Sequence, residues 1–107
     1  MDAENQVNRA DLDQLTGSAV IEFGASWCGY CQEAQPIIAA ALIQYPNVKH
    51  IKIADGKGQQ LGRTYSVKLW PTLVYLKDGV EVIRIVRPRD AKIIAAALNE
   101  IDFSQIN

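Results

Sequence analysis

The chain is poor in the features that mark specialised surfaces. Eleven basic residues stand against twelve acidic ones for a net charge of −1, and no basic block is present, so nothing in the charge pattern draws it to a phosphate backbone or an anionic bilayer. Neither nucleic acid nor membrane is expected as a partner. No apolar run approaches the length of a spanning helix. Residues 1–18 carry five charges and lack the hydrophobic stretch of a secretory signal, so a cytoplasmic location is the expectation. Repeats, low-complexity tracts and proline-rich linkers are missing as well, and 107 residues are the size of one compact domain. One domain is therefore expected over 1–107, with 1–8 a flexible or short-strand N-terminus, and the chain is expected to be a monomer.

Cysteine and histidine are scarcest of all, with two of the first and one of the second. Zinc normally takes four ligands, which Cys28, Cys31 and His50 cannot supply, so no metal is expected unless a metal or iron–sulfur site is shared between two chains. Cytosolic thiols are kept reduced, so a structural staple is a poor account of two cysteines there. Chemistry is the better one.

Apolar periodicity organises the rest. Leu12 and Leu15 mark a helix over Arg9–Thr16, ended by Gly17. Ala19–Gly24 is apolar without alternation, the pattern of a strand buried on both faces. From Gly29 to Tyr45, Ile37, Ile38, Ala41, Leu42 and Tyr45 follow helical spacing, and Pro36 is expected to bend that helix. A second strand spans Val48–Ala54, with Ile51 and Ile53 on one face, and a short helix follows over Gln59–Tyr65. Thr72–Leu76 is another central strand. Asp78-Gly79 is a two-residue hairpin turn, and Glu81–Arg87 returns as its partner strand. Pro88 opens the last helix, whose apolar face is Ile94, Leu98 and Ile101. The order α-β-α-β-α-β-β-α joins a parallel βαβ unit to an antiparallel hairpin.

Trp27-Cys28-Gly29-Tyr30-Cys31 falls where the first strand stops and the longest helix starts. A helix N-terminus offers unpaired amide hydrogens and partial positive charge, both of which favour a thiolate. The i, i+3 spacing places both sulfurs on one side of the first turn. Cys28 is expected to be the exposed nucleophile and Cys31, one turn in, the buried thiol that resolves a mixed disulfide.

With this motif after a buried strand, the sequence resembles the thioredoxin family over about Leu12 to Ile101. Phe23, Ala25 and Trp27-Cys28-Gly29 match the approach to the family's active site. Pro36 matches the proline inside its active-site helix, Pro71-Thr72 its cis-proline and following threonine, and Lys77-Asp78-Gly79 its last hairpin. The resemblance implies an α/β thioredoxin fold, with a central mixed sheet of four or five strands flanked by helices. It implies a protein-disulfide oxidoreductase that needs no cofactor beyond its Cys28–Cys31 couple, reduces protein disulfides, and is recharged by a thioredoxin-reductase-type donor. Trp70 would precede the cis-proline and pair its backbone with a bound substrate strand. Glu22 takes the place of the family's buried aspartate, implying proton exchange with Cys31, although Lys49 and Lys52 both compete for the lysine that accompanies that acid.

Several positions depart from the pattern. Gly29-Tyr30 replaces the Gly-Pro of the family's reductants and resembles certain bacterial disulfide isomerases; the added Tyr30 amide could bond a sulfur and make the couple more oxidising. Gly24 replaces a tryptophan, Trp70 a smaller residue, and Arg87 a glycine of the substrate groove, whose remaining members are Trp27, Gly29, Tyr30 and Pro71. An oxidant or isomerase, and a partner-binding module with the same groove, are the alternatives to a reductant. His50 reads as a surface strand residue and Gly56-Lys57-Gly58 as a turn.

Overall fold

The computed structural model describes residues 7–102. Of the segment expected as a flexible or short-strand N-terminus, residues 1–6 lie outside that range, while Val7 packs against the core and Asn8 caps the first helix. Eight elements follow in the expected order: α1 (Arg9–Asp13), β1 (Ser18–Gly24), α2 (Gly29–Leu42), β2 (Lys49–Ala54), α3 (Leu61–Thr64), β3 (Thr72–Lys77), β4 (Val80–Val86) and α4 (Ala91–Ile101). Among the described residues the sheet has four strands in the order β2-β1-β3-β4. β1 runs parallel to β2 and antiparallel to β3, and β3 pairs antiparallel with β4.

The central strands are buried because both faces are covered. Every residue of β1 is buried, and so are Thr72 to Leu76 of β3. One face of the sheet presents Val20, Leu73 and Tyr75 to Ala34, Ile38 and Ala41 of α2 and to Ile94, Ala97, Leu98 and Ile101 of α4. The other presents Ala19, Ile21, Phe23, Ile53, Val74 and Leu76 to Leu12 of α1 and to Leu61 and Tyr65. Each large apolar side chain removed from water in this way contributes roughly 1.5–3 kcal/mol, which makes these two layers the main source of stability. Ser18 Oγ donates to the carbonyl of Ile101, tying the start of β1 to the end of α4.

Several boundaries move for local reasons. Pro88 does not open α4: the helix starts at Ala91, and Asp90 is its cap, its Oδ1 accepting from the Lys92 amide at 2.8 Å. A side-chain acceptor at the cap outweighs proline's preset φ in fixing the first turn. Pro36 lies within α2 without ending it, and α2 stops at Leu42 rather than Tyr45. β4 is an edge strand with Val80, Val82, Ile83 and Val86 exposed, and it carries a register irregularity opposite Tyr75 and Leu76. The Asp78-Gly79 turn has positive φ at both positions, 50° and 81°. It docks on the α1–β1 link: Gly17 donates to Asp78 Oδ1 at 2.7 Å, and Asp78 donates back to the Gly17 carbonyl at 2.9 Å. A Cβ on Gly79 would overlap the backbone of Asp13.

Candidate active site

Cys28 is the N-cap of α2, and its Sγ accepts the amide hydrogen of Cys31 at 3.1 Å. This is the capping geometry in which a side chain satisfies the third helical amide. The amide that meets the sulfur is thus that of Cys31, not the Tyr30 amide considered from the sequence, because Tyr30 sits one position too early in the turn. Both cysteines are free thiols. Cys28 was expected to be exposed, yet it is only 6% exposed against 2% for Cys31. The reason is packing: Ala25 and the two cysteines form a small apolar cluster with Trp70 against it. Burial pushes the Cys31 thiol up to about 11, assisted by its hydrogen bond with Cys28 and by the negative charge of Glu22. Cys31 is therefore protonated at neutral pH.

Glu22 is fully buried. Burial raises the pKa of a carboxyl, but hydrogen bonds from His50 and Gln35 and the positive charges of His50 and Lys52 more than offset it and hold Glu22 below its ordinary value. His50 Nε2 donates to one carboxylate oxygen at 2.7 Å and Gln35 Nε2 to the other at 2.6 Å. The same Gln35 nitrogen reaches the Cys31 carbonyl at 3.2 Å, and Lys52 Nζ donates to Gln35 Oε1 at 2.7 Å. His50 is therefore not merely a surface strand residue, and Lys52, rather than Lys49, joins the acid's network. The signal lay in the strand period: Glu22 pairs with Lys52 and Val20 with His50 across the parallel β1–β2 ladder, so the polar positions of β2 share the face of Glu22 while Ile51 and Ile53 take the other.

The cis-proline turn closes the other side. Trp70–Pro71 is a cis peptide, and the Trp70 carbonyl lies 4.0 Å from Cys28 Sγ. The Trp70 indole donates to Asp55 Oδ2 at 2.8 Å. Its ring meets that of Trp27 edge-on, centroids 5.2 Å apart, and Trp27 is 72% exposed. Arg87 follows β4, and its amide donates to the Pro71 carbonyl at 2.8 Å. Its Nε donates to the Trp70 carbonyl at 2.9 Å, and its guanidinium lies 3.9 Å from the centre of the Tyr30 ring. Cys28, Cys31, Tyr30, Trp27, Trp70, Pro71 and Arg87 thus converge at one end of the sheet, with Glu22 behind them. Gly29 occupies the first helical position, where a Cβ would meet open space. Among the described residues no group of three or more His, Cys, Asp or Glu is placed to hold a metal ion.

Comparison with known proteins identifies this arrangement. The thioredoxin family profile matches residues 3–100. A thioredoxin of Chlamydia trachomatis is 36% identical over 86 residues, covering 80% of this chain and 83% of the relative. The thioredoxin of Chlamydia pneumoniae is 33% identical, covering 79% and 83%. The structure of reduced thioredoxin 2 from Pseudomonas aeruginosa superimposes with a TM-score of 0.82 at 46% identity, covering 92% of each chain. With this fold, a Cys28-x-x-Cys31 pair at the head of α2 and a cis-proline turn beside it, the chain belongs to the thioredoxin family and is a thiol–disulfide oxidoreductase.

Proposed function

We propose that the chain acts as a reductant of protein disulfides, with Cys28 as nucleophile and Cys31 as resolving thiol. The observation that carries this division of labour is the asymmetry of the pair: Cys28 Sγ accepts an amide hydrogen bond at a helix N-terminus, a place for negative charge, whereas Cys31 is held protonated by burial. The Cys28 thiolate attacks one sulfur of the substrate disulfide, forming a mixed disulfide and releasing the other sulfur as a thiolate. Cys31 then loses its proton and attacks Cys28 Sγ, which frees the second substrate sulfur and leaves the Cys28–Cys31 disulfide. Two electrons pass to the substrate, and a thioredoxin-reductase-type donor must return them.

Glu22 is the proton acceptor assigned to the second step, with Gln35 joining it to the helix turn that bears Cys31. The thioredoxin relatives support protein substrates. So does the likeness, at 25% identity and a TM-score of 0.74, to a structure described as the thiol-resolving mechanism of a yeast mitochondrial 1-Cys peroxiredoxin through glutathione and thioredoxin systems. A reductant needs a compartment that keeps thiols reduced, so we place its action in the cytoplasm. Trp27, Gly29, Tyr30, Trp70, Pro71 and Arg87 form the proposed substrate groove.

Cys31→Ser tests the assignment, because without the resolving thiol substrates stay attached to Cys28 as mixed disulfides. Expected is recovery of Cys28-linked partners by mass spectrometry under mild oxidation and none from Cys28→Ser; the reverse pattern, or no adduct at all, overturns the roles.

A further inference from the structure

We propose that Arg87 makes the groove selective for partner segments that carry a carboxylate side chain beside the reacting cysteine; the inference rests on the groove and the direction of chemistry proposed above. Arg87 has φ +52°, the left-handed region that a residue with a Cβ seldom occupies. It nevertheless spans the site, joining the Trp70 carbonyl through Nε to the face of Tyr30 through its guanidinium plane. Two otherwise separate parts of the groove, the cis-proline turn and the turn between the cysteines, are therefore linked by one cation.

The charge of that cation is not matched by an ion pair among the described residues. Neither Arg87 nor Arg89 takes part in ion pairs such as Arg9–Asp13 and Arg84–Glu81. Arg87 and Arg89 border a cavity of about 340 Å³ whose apolar lining includes Tyr30, Ile37 and Pro88. Glu33 also lines it, but it forms no ion pair with either arginine. The cavity thus combines an apolar lining with two cations and one anion.

A guanidinium held on an aromatic ring is more weakly hydrated than an ammonium, and its planar fork of N–H groups matches a carboxylate. A partner strand that pairs with the Trp70 backbone competes with Arg87 Nε for the same carbonyl. A carboxylate on that strand offers the displaced guanidinium a replacement acceptor; a lysine in the same place meets like charge from Arg87 and Arg89. Attraction and repulsion therefore act in the same direction, the condition for discrimination rather than mere affinity.

The test uses three disulfide-linked peptides that differ only in bearing Glu, Gln or Lys next to the cysteine, and follows the second-order rate at which each oxidises the reduced full-length protein. Expected for the unaltered protein at low salt is the order Glu, Gln, Lys, with about two- to fivefold between neighbours, the size of a solvent-accessible ion pair, shrinking towards one as salt screens the charges. Arg87→Gly should collapse most of the spread, and Arg87→Lys should restore part of it. Equal rates for the three peptides, a spread insensitive to salt, or an undiminished spread in Arg87→Gly overturns the proposal. Failure of every peptide and of a small neutral disulfide to oxidise the protein would instead overturn the function on which it rests, so the two failures are distinguishable.

Discussion

A carboxylate stripped of water costs several kcal/mol unless hydrogen bonds and counter-charges replace its hydration. Glu22 meets that condition with both oxygens bonded, one to His50 and one to Gln35, and with Lys52 one contact further on. Because its folded pKa lies below the ordinary value, its ionisation stabilises the fold above the unfolded carboxyl pKa, and that contribution is lost as pH falls through the folded one. Removing His50 deletes two of the influences that lower it and leaves burial in command. His50→Ala should therefore raise the Glu22 titration, read from its side-chain carboxyl ¹³C shift, reduce or abolish the stability that Glu22 loses as pH falls, and alter the pH profile of mixed-disulfide resolution. An unchanged Glu22 titration would show that Gln35 and Lys52 alone suffice. At this scale, residue chemistry was partly legible. A glutamate inside an apolar strand announces a special environment, but its partner His50 stands 28 positions away and becomes visible only once the parallel ladder fixes which faces coincide.

Elements were more legible than their ends. Continuous apolar runs marked β1 and β3 because they lie in the middle of the sheet, and helical spacing marked α2 and α4 because each buries one face on it. Termini depend on single hydrogen bonds, so they escaped. Proline at 88 looked like a helix start, whereas the carboxylate of Asp90 captures the Lys92 amide and sets the first turn of α4. Asp90→Ala should lower the unfolding free energy by about 1 kcal/mol, seen as a lower urea midpoint with an unaltered slope, while the Cys28–Cys31 chemistry persists. No loss of stability would mean that the packing of Ile94, Leu98 and Ile101 alone fixes the helix start. β4 was legible as a strand from the alternation of Val82, Arg84 and Val86 against Ile83 and Ile85, but apolar residues on both sides of that alternation leave the exposure of Val82, Ile83 and Val86 unread.

For the whole molecule, the reduction potential of the Cys28–Cys31 couple measures how much more stable one redox form of the fold is than the other, with 30 mV corresponding to about 1.4 kcal/mol for two electrons. In the dithiol form, capping of Cys28 by the Cys31 amide and burial of the protonated Cys31 both favour the reduced fold, whereas the apolar cluster around them disfavours a naked charge. A reductant should show a potential near about −270 mV, measured by equilibration with a reference dithiol; a value between about −180 and −120 mV would make an oxidant or isomerase of it. The global arrangement was legible from the motif and its setting, because a strand leading into a cysteine-capped helix constrains most of the topology. The bridge from Arg87 to Tyr30 and Trp70 was not, since it joins positions 57 and 17 residues apart through a backbone conformation that sequence does not declare. One consequence of the site's construction concerns observation rather than chemistry. The chain has only two tryptophans, and both lie together at the site, edge to face, Trp70 packed on the cysteine cluster and Trp27 open to solvent. Every photon of indole emission therefore originates beside the reacting sulfurs, so the unlabelled protein reports its own redox state and the arrival of a partner as changes in intrinsic fluorescence, with no signal from elsewhere in the fold to dilute them.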